Sequence, residues 1–172
     1  MSRTCKVCKT KFEPNFNSVQ AVCGYKCSIE YAKQLKDKKW KKEKAKIKSD
    51  LMTLQDWIKI AQTHFNKYIR LRDKGQPCIS CSKPAKKENA GHYRSAGGNP
   101  ELRFEELNVH LQCEYCNTYQ HGNLIEYRKN LINKIGLDKV EWLEQSHEPA
   151  KYTIEEVKEI IKTYKDKCKR LA

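Results

Sequence analysis

Long apolar runs are missing from this chain: no stretch of its 172 residues approaches the length of a membrane span. Acidic residues are scarce, 21 against 35 lysines and arginines, which leaves a formal charge of +14. Such an excess favours a polyanionic partner, with nucleic acid first. An anionic membrane surface is the weaker reading, because no apolar anchor accompanies the charge. Hydrophobic residues make up only 38%. A single large core is therefore not expected, and small metal-stabilised units joined by polar helices fit better. The N-terminal MSRTCKVC lacks the apolar core of a signal peptide. The expected compartment is a reducing cytoplasm, where disulfides do not persist.

Cysteine, in contrast, is abundant. Eight of the nine fall in close pairs: Cys5/Cys8, Cys23/Cys27, Cys78/Cys81 and Cys113/Cys116. A two-residue gap lets a tight knuckle turn both sulfurs toward one point, so two pairs can hold one zinc tetrahedrally. Two structural zinc ions are expected, one per quartet, in preference to a secreted disulfide framework. Thiolate and metal charges together leave the chain at roughly +10, still strongly basic. Cys168, the ninth, has no assigned role.

Five segments follow. Residues 1–32 form an N-terminal zinc finger, packed by Phe12, Phe16 and Tyr25, with Cys27 in the first turn of a helix whose N–H groups favour a thiolate. Residues 33–50 are a basic helical linker: residues 33–48 carry nine lysines, only Asp37 and Glu43 as acids, and no Gly or Pro. This run is either a solvated connector or an arm along phosphates through Lys38, Lys39, Lys41 and Lys42, with Trp40 as an anchor. Residues 51–75 hold an amphipathic helix, capped by Ser49 or Asp50 and ended near Gly75. Its face is Leu51, Leu54, Ile58, Ala61, Phe65, Tyr68 and Ile69, with His64 beside it as an ordinary helix residue.

Residues 76–135 form the central module, whose last part, 123–135, is helical up to Gly136. Residues 136–172 are C-terminal helices: a short one over 138–145 with Val140, Trp142 and Leu143, then a last one over 154–170 opened by a Thr153/Glu156 capping box. Ile154, Val157, Ile160, Ile161 and Tyr164 are its apolar stripe. The fold class is α+β, small zinc-stapled modules joined and flanked by helices.

The central module carries more than a zinc knuckle requires: His92, Asn108, His110, Asn117 and His121. The order of a His on a first strand, an Asn on a second and a ligand on a helix resembles the HNH (ββα-metal) nuclease finger. Across most of the chain, the sequence resembles the phage NinG (Rap) recombination endonucleases. The residues that carry this are the N-terminal cysteine quartet, the Lys-rich connector, Pro77-Cys78-Ile79-Ser80-Cys81, Ala90-Gly91-His92-Tyr93-Arg94, Leu102-Arg103-Phe104, Asn108-x-His110, Cys113-x2-Cys116-Asn117 and Gly122-Asn123-Leu124.

That resemblance implies a metal-dependent endonuclease acting on branched DNA such as Holliday junctions, with a possible homodimer. His92 would be the general base, suited by an unperturbed pKa near neutrality. Asn108 would orient it. Asn117 and His121, four apart on one helix face, would hold a catalytic Mg²⁺ or Mn²⁺. Many HNH sites carry an Asp or His before the catalytic His, where this chain has Gly91. Asn89 or His110 is left as a substitute ligand, with a structural role preferred for His110. Arg94, Arg103, Arg128, Lys86 and Lys87 are expected to meet phosphates. Tyr93, Tyr119 and Tyr127 either stack on bases or pack internally, and packing is expected of each. The rival reading is a non-catalytic zinc-dependent nucleic-acid-binding protein; a zinc-stabilised assembly protein is a third.

Overall fold

The computed structural model describes residues 2–15 and 19–171. Phe16, expected in the core of the first finger, lies outside them. The chain divides into two compact units, residues 1–52 and 53–172, each with its own cysteine quartet.

In the first unit, strands β1 (Arg3–Thr4) and β2 (Lys11–Phe12) pair antiparallel around the first cysteine pair. Helix α1 (Tyr25–Asp50) begins between Cys23 and Cys27 and continues through the whole lysine run without a break. The residues expected to divide into finger and linker are thus one helix, because nothing between 25 and 50 stops it. None of its residues is buried. At 1.5 Å per residue, α1 is about 39 Å of exposed basic rod. Lys38, Lys39, Lys41 and Lys42 are all exposed on it.

The second unit opens with α2 (Leu54–Arg72). The expected cap at Ser49 or Asp50 is wrong: Thr53 caps the helix, its Oγ1 accepting from the Asp56 N–H while Asp56 accepts from the Thr53 N–H. Leu51, placed on the apolar face by periodicity, therefore precedes the helix and is exposed. The helix ends at Asp73, ahead of Gly75, which takes positive φ in the turn that follows.

Strands β3 (Glu88–His92) and β4 (Val109–Cys113) form an antiparallel hairpin with His92 opposite Val109 and Gly91 opposite His110. Opposed residues share a face. Ala90, His92 and Val109 therefore turn to one side, where Ala90 and Val109 pack on Phe65 and Ile69 of α2. Gly91, Tyr93 and His110 turn to the other, toward α3 (Leu124–Ile135). There the buried Tyr127 hydroxyl donates to the Gly91 carbonyl at 2.9 Å.

Helix α4 (Leu137–Glu144) follows the Gly136 break, and its Val140 and Leu143 join Tyr127, Leu131, Tyr93 and Ile79 in one apolar cluster. Helix α5 (Ile154–Leu171) opens on the Thr153/Glu156 box as expected. It lies along α2: Val157 and Ile161 meet Ile58 and Ala61, and the Tyr164 ring meets Phe65 edge-on at 4.8 Å. Cys168 is buried at the end of this seam with its Sγ 3.8 Å from the His64 carbonyl. It serves as a small apolar residue there.

Candidate metal centres and the hairpin site

Both cysteine quartets converge. In each, the four sulfurs lie within 4.8 Å of one another. Cys8–Cys23 and Cys23–Cys27 are separated by 3.5 and 3.6 Å, and Cys81–Cys113 by 3.8 Å. A tetrahedron with metal–sulfur bonds near 2.3 Å has edges of about 3.8 Å. All nine thiols are free, and the quartets fit zinc.

The two leading knuckles are built alike. The Cys5 N–H bonds to the Thr10 carbonyl and the Cys78 N–H to the Lys83 carbonyl. Lys9 and Ser82, each following the second cysteine, take positive φ and return an N–H to the first cysteine's carbonyl. Four thiols this close cannot all ionise alone. The Cys23 sulfur helps push the Cys27 thiol up to about 12, and burial helps push Cys116 to about 12. A divalent cation removes that penalty by its own charge. Four sulfurs close the coordination shell, which makes the ions structural.

His92 ends β3 half-buried, its ring 6.4 Å from Phe65. Its Nε2 lies 3.1 Å from the Arg103 carbonyl. A carbonyl can only accept, so Nε2 carries the proton and Nδ1 the lone pair. Burial lowers the pKa; the Arg103 carbonyl opposes the shift and the Arg103 charge adds to it. The imidazole is therefore neutral near pH 7.

Asn108 is fully buried and does not bond to the His92 ring. Its Oδ1 accepts from the Arg94 N–H at 2.8 Å, and its Nδ2 donates to the carbonyls of Arg94 and Leu102 at 2.9 and 3.0 Å. One amide thus closes both ends of the loop between the strands. Arg103, whose carbonyl holds His92, directly follows Leu102. Asn108 is thus linked to the His92 ring only through the Leu102–Arg103 backbone.

A match to the family described as Bacteriophage Lambda NinG protein spans residues 1–172. The chain belongs to the NinG family. Protein ninG of Escherichia phage 933W is 38% identical over 187 residues, covering 98% of this chain and 93% of that protein. Protein ninG of phage lambda is 38% identical over 190 residues, with the same coverage, and that of Salmonella phage P22 is 37% identical over 190. No solved structure matches the chain.

In this NinG chain, Asn117 and His121 do not share a helix face. Asn117 is half-buried in a π-helical turn, Tyr115–Tyr119. His121 lies beyond that turn, exposed, with φ +49°. Three successive residues, His121, Gly122 and Asn123, take positive φ, so the chain reverses before α3 begins. Beyond the two cysteine quartets, no group of three or more His, Cys, Asp or Glu side chains converges among the described residues. Gly91 has a packing reason. A Cβ there would meet Gln112 Oε1 at 2.1 Å and Gln112 Cβ and Cδ at 2.9 Å. Gln112 is fully buried, its Nε2 bridging Ser80 Oγ and the Gly122 carbonyl, while its Oε1 has no partner among the described residues.

His110 is not placed to ligate anything. It is buried on the face opposite His92, with Nε2 donating to the Leu107 carbonyl at 3.1 Å and Nδ1 3.0 Å from Arg72 Nη2. Asp73 is the residue that sequence reasoning missed. Buried beside Arg72, it accepts two guanidinium bonds at 2.8 Å and the Leu111 N–H at 3.0 Å. Burial opposes its ionisation, but Arg72 and His110 hold its carboxyl well below the usual carboxylate range. Arg72 also donates to the carbonyls of Glu106 and Val109. The pair locks the end of α2 to the start of β4. The only sequence signal was a lone acid among basic residues at a helix end.

The arginines differ among themselves. Arg128 is bound by Glu144 at 2.7 and 2.9 Å, and Tyr93 also donates to that carboxylate. Arg128 is thus ion-paired at a partly exposed position. Arg103 Nη2 donates to the Ala96 carbonyl, and Arg94 Nη2 lies 3.4 Å from Asn99 Oδ1; both are half-buried on the interstrand loop. Tyr93 and Tyr127 are buried and pack, as expected, whereas Tyr119 is 69% exposed.

Proposed function

We propose that this NinG-family chain is a metal-dependent, structure-specific endonuclease that hydrolyses phosphodiester bonds in branched DNA such as Holliday junctions. One observation carries the chemistry: a neutral His92 whose Nε2–H is fixed on a backbone carbonyl, leaving Nδ1 as a held acceptor for a proton from water. The sequence of strand, Asn-clamped loop, strand and helix around it supports an HNH-type module.

A divalent cation would offset the charge that develops on the phosphate and the leaving oxygen. Asn117 and His121, the expected ligands, are set apart by the reversing turn, so the cation would rest mainly on the DNA phosphate and water. Mg²⁺ or Mn²⁺, which take oxygen ligands and keep several waters, fit that arrangement. The lysines of α1 together with Arg94 and Arg103 would meet the backbone, in the reducing cytoplasm of a bacterial host.

Gly91 favours the second reading, a non-catalytic zinc-dependent DNA-binding protein. The place where many HNH sites carry a metal ligand is closed by Gln112. The two readings separate in one experiment, with labelled four-way junction and matched duplex incubated with Mg²⁺ or Mn²⁺, for the wild type and His92→Ala. The nuclease predicts junction-selective cutting that vanishes in a variant that still binds. Binding without cutting under either metal would establish the second reading instead.

A further inference from the structure

We infer that the groove beside the second cysteine quartet is a platform for unpaired bases of single-stranded DNA. The groove, a cavity of about 490 Å³, is lined by Lys83, Pro84, Lys86, Lys87 and Tyr115 beside the cysteines. Tyr115 is 62% exposed and Tyr119 69% exposed, although the strand ahead of their turn is almost wholly buried. Their ring centroids are 6.3 Å apart with planes at 34°.

The π-helical turn explains why they stand together. The Gln120 N–H bonds back to the Tyr115 carbonyl at 3.1 Å, five residues away. That wider winding sets positions four apart on nearly one side and places both rings on the outside. Two exposed aromatic faces in a small, marginally apolar protein cost hydration and are not needed for packing, since Tyr93 and Tyr127 supply it.

Charge selects the occupant. Lys83 and Lys86 are exposed at the groove, and no ion pair to either is formed among the described residues. Lys87 is paired with Glu114 and fixes the rim. Lysines supply phosphate contacts, while tyrosine faces accept any base because every base has a π-face. A duplex keeps its bases stacked inside and cannot use the rings. The platform therefore distinguishes DNA with unstacked bases, as at an open branch point. It rests on the nucleic-acid reading above but not on cleavage.

The test is fluorescence anisotropy without added divalent cation, using a single-stranded oligonucleotide and a duplex of the same length with the full chain. Tyr115→Ala/Tyr119→Ala is expected to weaken single-strand binding about ten-fold or more and duplex binding less than about two-fold. The double Phe variant keeps the stacking faces and should bind as the wild type does. Lys83→Gln/Lys86→Gln should flatten the single-strand salt dependence by about 1.4 in log–log slope. Bound zinc and circular dichroism, unchanged in the tyrosine variants, exclude unfolding. Equal losses on both DNAs, no loss on either, or a change in oligomeric state alone would overturn the platform. A wild type that binds no DNA would overturn the proposed function with it.

Discussion

Three histidines on or near one hairpin meet different fates, and hydrogen bonding decides each. His110 has both ring nitrogens engaged in the interior, His121 is exposed on a reversing turn, and His92 has one nitrogen fixed on a carbonyl. Because burial lowers the His92 pKa, the acid limb of the proposed cleavage should rise through a midpoint below the ordinary 6.5. Only the neutral ring accepts a proton, so activity falls as pH drops through that value. A pH–rate profile with the limb at or above 6.5 would remove His92 as the base.

Asp73 makes a different prediction at the same scale. Its folded pKa is depressed, so its stabilisation is present above the unfolded value near 3.9 and fades as pH falls below it. Asp73→Asn leaves the partly buried Arg72 without its buried anion and should cost roughly 3 kcal/mol in urea unfolding at pH 7. The difference from the wild type should shrink in acid.

At the scale of the elements, end residues matter more than the middles. The Thr53/Asp56 box sets the first turn of α2, and Thr53→Ala should cost about 1 kcal/mol, readable as a lower urea midpoint with unchanged slope. Hairpin packing constrains β3 more tightly. Gly91→Asp would restore the acid common before a catalytic His, yet its Cβ collides with Gln112 at the base of that side chain as well as its tip. The variant should lose about 1–3 kcal/mol by overpacking and gain no activity. Higher activity from Gly91→Asp would mean that Gln112 moves aside and that the metal site lies there.

For the whole molecule, the division at residue 52 separates two zinc economies. Cys5→Ser should reduce bound zinc from two per chain to one and leave the tertiary near-UV signal of residues 53–172 intact, since Tyr93, Tyr127 and Tyr164 pack far from that quartet in sequence. Cys113→Ser should also release one zinc, but it removes the staple at the end of β4. Loss of near-UV signal and of the proposed DNA cleavage together is expected there. Identical behaviour of the two variants would show that the units do not fold independently.

Much of this was written locally. A CxxC knuckle closes within six residues, a capping box within four, and an apolar stripe repeats every three or four. Both quartets, the last helix, the Gly136 break and the basic helix could therefore be read from sequence alone. Asn117 and His121 misled because a four-residue spacing implies one face only while the helical winding continues, and three positive φ values end it at His121. Which charges are paired within the fold was settled by distant partners: Arg72 meets His110 across 38 residues and Arg128 meets Glu144 across 16. Gly91 is small because Gln112 reaches over it from the neighbouring strand. Local geometry specifies the elements and the metal staples; only packing between elements decides which side chains are spent in the interior and which are left to act.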